Sequence, residues 1–311
     1  KTELPDGNLA MAQAYVFNLR REKFQDRRVR EALAMMFNFE WSNAQLFYGL
    51  YKRVQSFWGN SELEARGVPT EGERAVLQPL VDQGLLSAEI LTDEAVMAPV
   101  SGQRQLDRKN LRRASQLMDE AGWRVNADGM REKDGQVFTL EVLDSSPAFD
   151  RITNPMIENM KALGIDARLN RVDTAQESER TRAYDFDVTT HSMRMGFEPS
   201  SGLEQYFGTK AMDQSSRNLM GLSDPAVDAL IEKVVRAQSK AELNTNIRAL
   251  DRVLRAKRFW IPQWFKAVHT VAYYDQYGHP DPLPPFARGE LDFWWFDAEK
   301  AAKLEAAGVL N

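Results

Sequence analysis

The chain has 311 residues, enough for one large domain or two small ones, and its 43% hydrophobic and 27% charged content is ordinary for a globular protein. A net charge of -5 argues against nucleic acid as a partner, because neutralising phosphates takes a basic surface. No apolar run reaches the roughly eighteen residues that a membrane helix needs. The absence of cysteine removes disulfides, thiolate catalysis and thiolate metal sites together, which fits an oxidising compartment without identifying one. The chain opens on Lys1 with no charged segment leading into an apolar core, so we expect an internal piece of a longer precursor.

The first predicted element is a strand over Ala14–Leu19. In FQDRRVREALAMMFNFEW, Asp26 can cap a helix whose apolar face is Val29, Leu33, Met36 and Phe37. Tyr48, Tyr51, Phe57 and Trp58 are then interleaved with Lys52, Arg53, Gln55, Ser56 and Asn60. That pattern suits a wall for stacking and hydrogen bonding, or simply a piece of core. Residues 64–105 show no strong period and predict short helices and loops. Asp107 caps a second helix with Leu111, Ala114, Leu117 and Met118 on one face and Gly122 as its left-handed stop. Turns follow at Asn126–Gly129 and Asp134-Gly135.

From Val137 the pattern is strand (137–143), helix (149–163, closed by Gly164), strand (165–172), polar helix (174–183) and strand (186–191). This βαβαβ run predicts an α/β fold, with parallel neighbours in the sheet and flanking helices. Ligands of such sheets bind outside the carboxyl ends of the strands. Those ends are Asp144-Ser145-Ser146, Asp173-Thr174 and Ser192-Met193-Arg194.

The third end opens into a loop of about thirty residues, a length that is usually functional or disordered. Met193, Met195, Phe197, Tyr206, Phe207, Met212, Leu219 and Met220 make it too apolar for disorder. With His191, Arg194, Glu198, Arg217 and Asn218 among them, it has the mixture a ligand pocket needs, although a loop folded on its own side chains is the alternative. Two helices follow, one started by Asp224-Pro225 with Val227, Leu230, Ile231, Val234 and Val235 inward. The other is opened by the capping box Ser239–Glu242 over Leu243, Ile247, Leu250 and Leu254. FWIPQWF (259–265) reads as an edge strand or crossing segment, and 269–274 as a strand. The tail has four prolines between Pro280 and Pro285, which forbids regular structure there, yet carries Phe286, Phe293, Trp294, Trp295 and Phe296. Those rings should be buried against something, and if exposed they should promote self-association unless the tail folds back.

Chemistry is sparse. His191, His269 and His279 are unpaired at metal-ligand spacing, and neither a nucleophile elbow nor a Walker or dinucleotide loop occurs. No metal or cofactor is expected. Asp185 and Asp187 could do acid–base work, or be a solvated strand edge.

Several segments taken together resemble the family 5 extracellular solute-binding proteins of ABC importers: FNLRREKFQDRRVREAL, LFYGLYKRVQSFWGNSEL, LDRKNLRRASQLMDEAGW, SRNLMGLSDPAVDALIEKV, LDRVLRAKRFWIPQWF and YGHPDPLPPF. They look most like the subgroup for oligopeptides and peptide-like compounds such as microcin C. The resemblance implies a type II periplasmic-binding-protein-like lobe and a periplasmic receptor that closes two lobes on a peptide without chemistry and delivers it to a membrane permease. Residues 1–265 would be the C-terminal, second lobe, and 266–311 a crossover strand and tail returning to a first lobe that this chain lacks. An α/β-sheet hydrolase and a periplasmic peptide sensor or chaperone are the alternatives. Where oligopeptide binders place an aspartate on the peptide amine, this chain has Met193–Glu198, with Arg194 instead. An anionic or N-blocked group is easier to accept there. The resemblance puts Arg53, Ser56 and Trp58 along the cleft and Arg217 and Asn218 on the far side of the long loop, with His191 at its mouth.

Overall fold

A computed structural model describes residues 2–282, 284 and 292–309. Of the expected proline-rich tail, Pro285 and Phe286 lie outside the described residues. The chain begins with β1 (Thr2–Pro5) and β2 (Ala12–Phe17). Asp26 caps α1 (Arg27–Ala34) by accepting from the Arg28 amide. The helix does not run on through Phe37 as its spacing predicts. Asn38 accepts from the Trp41 amide and opens α2 (Phe39–Leu46), while its own amide donates to the carbonyls of Gly102 and Arg104. A short side chain that bonds local backbone is worth more as a cap than inside a helix. Met36 and Phe37 are nevertheless buried, as expected.

Next come β3 (Lys52–Arg53) and α3 (Glu71–Asp82), a three-turn helix in the stretch expected to be short pieces. Asp107 caps α4 (Arg108–Glu120), and Gly122 follows at φ +88 as the left-handed stop. β4 (Arg124–Val125), β5 (Arg131–Lys133) and β6 (Gln136–Val137) form a small antiparallel sheet over the two predicted turns. Asp134 and Gly135 both take positive φ, the backbone that a two-residue hairpin turn requires. Buried Phe138 separates β6 from β7 (Thr139–Asp144), so the predicted 137–143 strand belongs to two sheets.

α5 (Asp150–Ala162), β8 (Asp166–Arg171), α6 (Thr174–Arg182) and β9 (Val188–Met193) complete the βαβαβ run. The long loop contains one helix, α7 (Gly202–Phe207), before α8 (Pro225–Val235) and α9 (Lys240–Ala256). Val235, expected inward, is 48% exposed at the end of α8. The chain closes with β10 (Trp260–Pro262), β11 (Trp264–Phe265), β12 (Val268–Val271), β13 (Tyr277–Gly278), β14 (Trp295–Phe296) and α10 (Ala298–Ala306).

The main sheet has the order β10-β2-β9-β7-β8. β7 pairs in parallel with β8 and β9, while β2 is antiparallel to both β9 and β10, so the sheet is mixed. Alternation along β2 sends Tyr15 and Phe17 into one core with α1, α4 and α5, and Ala12, Ala14 and Val16 into another with α3, α8 and α9. β10 is an edge strand, as its proline predicts. β11 leaves that sheet to pair with β3, and β12 pairs with β1. The tail folds on itself: β13 pairs with β14, and Trp294 packs against Tyr273, Tyr277 and His279, but Phe293, Trp295 and Phe296 stay exposed. Asp185 and Asp187 are occupied as ion-pair partners of Arg21, Arg180 and Lys23.

α9 carries a buried charged row that periodicity alone did not reveal. Arg252 pairs with Glu73 at 3.0 Å and donates to the Gly67 carbonyl. Arg255 pairs with Asp251 at 3.2 Å and donates to the carbonyls of Ala65 and Val96. Arg248 reaches the other Glu73 oxygen. Glu73→Ala should therefore leave Arg252 buried without its carboxylate. We expect a loss of about 3–5 kcal/mol, the range for a broken buried pair, read as a shifted urea midpoint at unchanged slope.

Candidate functional site

Two of the three strand ends are closed by their own side chains. Asp144, at the end of β7, is 3.4 Å from Arg171 of β8, which also pairs with Asp150, and Ser145 bonds Glu177. Burial pushes the Asp144 carboxyl up, against the opposing pull of the Ser146 amide and Arg171. The third end is open. Beyond Met193 of β9 lies an open groove of about 990 Å³, lined by Arg194–Glu198, by the approach to β2 (Asp6, Asn8–Met11, Gln13), by Tyr51 and by Trp264–Lys266.

The groove combines an aromatic side with separated charges. Trp264 stands among the rings of Phe47 (4.7 Å), Phe149 (5.8 Å), Tyr51 (6.2 Å) and Phe37 (6.4 Å). Arg194, Glu198 and Lys266 lie along it, and among the described residues no carboxylate comes within ion-pair distance of Arg194. Of the carboxylates in the same loop, Glu204 lies 3.9 Å from Lys210. An exposed guanidinium with five donors and no carboxylate is suited to an anionic group from outside.

The other candidates are placed differently. Ser56 is fully buried and donates to Asp251, so it supports the fold and does not face the groove. Trp58 is also fully buried, with its indole N–H on the Gly196 carbonyl. Asn218 is a knot in the long loop: its amide donates to the Gly208 and Leu222 carbonyls and its oxygen accepts from the Leu222 amide. Arg53, on β3 opposite Trp264, is buried over the rings of Phe37 and Phe39, behind the aromatic side. Burial pushes its pKa down to about 10, with Glu40 opposing, so it stays charged at neutral pH. Arg217 is exposed over the Tyr206 ring, and its carbonyl accepts from His191 Nε2 at 3.0 Å. His191 and Arg217 thus close the loop on itself away from the groove. Of the seven expected site residues, Arg194 alone lines the groove; the polar types of Ser56, Trp58 and Asn218 were explained by partners that the sequence cannot show. Of the aromatic wall, Tyr51 faces the groove and Phe57 and Trp58 are core. Gln13, Trp264, Phe265 and Lys266 were not anticipated as lining; the aromatic-rich FWIPQWF stretch was the available signal.

The chain belongs to the bacterial extracellular solute-binding proteins, family 5. The family described as "Bacterial extracellular solute-binding proteins, family 5 Middle" matches residues 3–214. A relative in Agrobacterium fabrum, "Probable peptide-binding protein YejA", is 40% identical over 299 residues, covering 95% of this chain and 48% of that protein. The chain spans about half the length of the curated relatives it matches. The oligopeptide-binding protein AppA of Bacillus subtilis, solved with a nonapeptide, superposes with a TM-score of 0.63 at 17% identity, over 95% of this chain and 52% of its own. The murein tripeptide binding protein MppA of Escherichia coli gives 0.59 at 15% identity, over 94% and 49%. These likenesses show the type II periplasmic-binding-protein-like fold.

Burial lowers the His191 pKa below its ordinary 6.5, partly offset by the Arg217 carbonyl that it bonds. The folded state favours the neutral ring, so this contribution is intact above about pH 6.5 and is lost as pH falls through the lowered value. His191→Gln should flatten the decline of melting temperature between about pH 6.5 and 5; an equally steep decline in the variant would contradict the assignment.

Proposed function

We propose that this chain is one ligand-binding lobe of a periplasmic receptor that grips peptides or peptide-like compounds, works by closure of two lobes without chemistry, and delivers its cargo to an ABC-importer permease. The carrying observation is Arg194: a cation without a carboxylate partner among the described residues, beside an aromatic side, at the open strand end of the sheet. Membership of a solute-binding family supports the receptor role. The names of YejA, AppA and MppA support peptides as the ligand class. Among the described residues no helix is long and apolar enough to cross a membrane.

Arg194→Ala should weaken an acidic or N-acetylated tripeptide by roughly 1.5–3 kcal/mol, the range for a hydrogen bond to a charged group, and leave melting temperature without ligand nearly unmoved. Unchanged affinity by calorimetry would sink this assignment. Closure adds contacts from a second lobe, so this chain should bind at least about a hundredfold more weakly than a protein of its relatives' full length, a difference of about 2.7 kcal/mol. Equal affinities would show that this lobe holds the site by itself.

A further inference from the structure

The family resemblance placed Trp58 along the cleft, but its indole is wholly enclosed and cannot touch a groove occupant without leaving the core. The ring has a single donor, and that donor is spent on the Gly196 carbonyl at 3.2 Å. Gly196 sits in the middle of Arg194–Glu198, the segment that forms one side of the groove. Residues 194–200 belong to no helix or strand, so no regular ladder fixes them. Their side chains divide: Met195 and Phe197 pack on the core cluster that contains Trp58, and Arg194 and Glu198 are exposed. A glycine is not needed at 196 for its backbone, because a Cβ there would meet nothing nearer than 3.9 Å. What the segment offers at that position is its carbonyl.

Trp58 is itself held from behind. Its amide donates to Ser56 Oγ at 2.9 Å, and Ser56 donates to Asp251 Oδ1 at 2.9 Å. The Phe57 amide also reaches Asp251 Oδ1, while Asp251 Oδ2 accepts from the Ala65 amide and from Arg255. Ser56 and Asp251 are fully buried. A continuous hydrogen-bonded run therefore leads from the charged row of α9 to the wall of the groove.

We propose that Trp58 is the positioning residue of the groove: its indole N–H fixes the Gly196 carbonyl and so holds Arg194 at the height where it meets the ligand. This deepens the receptor reading and rests on it for the ligand, though not for the fixing of the segment. Trp58→Phe keeps most of the ring and removes the donor. Well below the melting temperature, trypsin should then cut the Arg194–Met195 bond at least about fivefold faster, with sites in α9 unaffected, because local opening governs such cleavage. Ser56→Ala, which keeps the indole and frees its backbone, should give the same local change to a smaller extent and serves if Trp58→Phe does not fold. Unchanged cutting at Arg194 in both variants, or faster cutting everywhere, overturns the proposal. The second arm uses N-acetyl-trialanine and a double-mutant cycle with the full chain. Trp58→Phe should lower affinity about tenfold in the parent and less than about twofold in the Arg194→Ala background, since a residue acting through Arg194 has little left to act on. Equal losses in both backgrounds overturn it. If the parent does not bind this peptide, the receptor reading fails for it, while the cleavage pattern still decides whether Trp58 holds the segment.

Discussion

The structure depends on the buried charged row of α9. Outside α3, residues 54–105 contain little regular structure, so their backbone carbonyls need partners from elsewhere. Arg252 and Arg255 supply them, reaching Gly67, Asp93, Ala65 and Val96 from a single helix face. Each guanidinium is neutralised by a carboxylate at about salt-bridge distance, Glu73 for one and Asp251 for the other. A guanidinium suits this task because its planar fork satisfies several acceptors at once and keeps its charge when buried. Burial raises the Asp251 carboxyl, while Arg255 and three hydrogen bonds hold it down. Replacing either carboxylate alone would strand a cation in the core, so the row is stable only as a set.

Topology then places the groove. β7, β8 and β9 point their carboxyl ends the same way, and β2 runs against β9, so the approach to β2 arrives beside the exit from β9. The ends of β7 and β8 are shut by Asp144, Arg171 and Asp150, and the opening is displaced to the β9 side. β11 turns away from the main sheet there to pair with β3, which brings Trp264 next to Tyr51 and builds the aromatic side. The groove is thus assembled from four separated parts of the chain, each fixed by strand pairing or by the core beneath it.

Much of the fold was legible because its signals are local. Asp26, Asp107, Asp224 and Ser239 each accept from amides at the helix start, as their positions promised, and the βαβαβ run follows from alternating periods. The break at Asn38 was not legible, since the reason for it lies in carbonyls more than sixty residues away. The site suffered most from this. Ser56 finds Asp251 195 positions further on, and Trp58 finds Gly196 138 positions on, so a stretch that read equally well as cleft wall or core in sequence is core at both positions in space. The place of Arg194 beside the groove was legible because the strand that delivers it was. The family resemblance ordered the segments but could not distinguish a residue that lines the groove from one buried behind its wall.

The two margins of the main sheet carry a further consequence. Pro262 sits in β10 opposite Ala14, and it has no N–H to offer a strand arriving from outside. At the other margin, β8 sets Asp166 and Arg168 in solvent, with Arg168 engaged by Glu141 of its neighbour. Open sheet margins are templates for unwanted strand addition, and proline and charge are the usual ways of blunting them. The sheet thus discourages strand addition at both of its margins, and the open end of β9 beside the groove lies on neither of them.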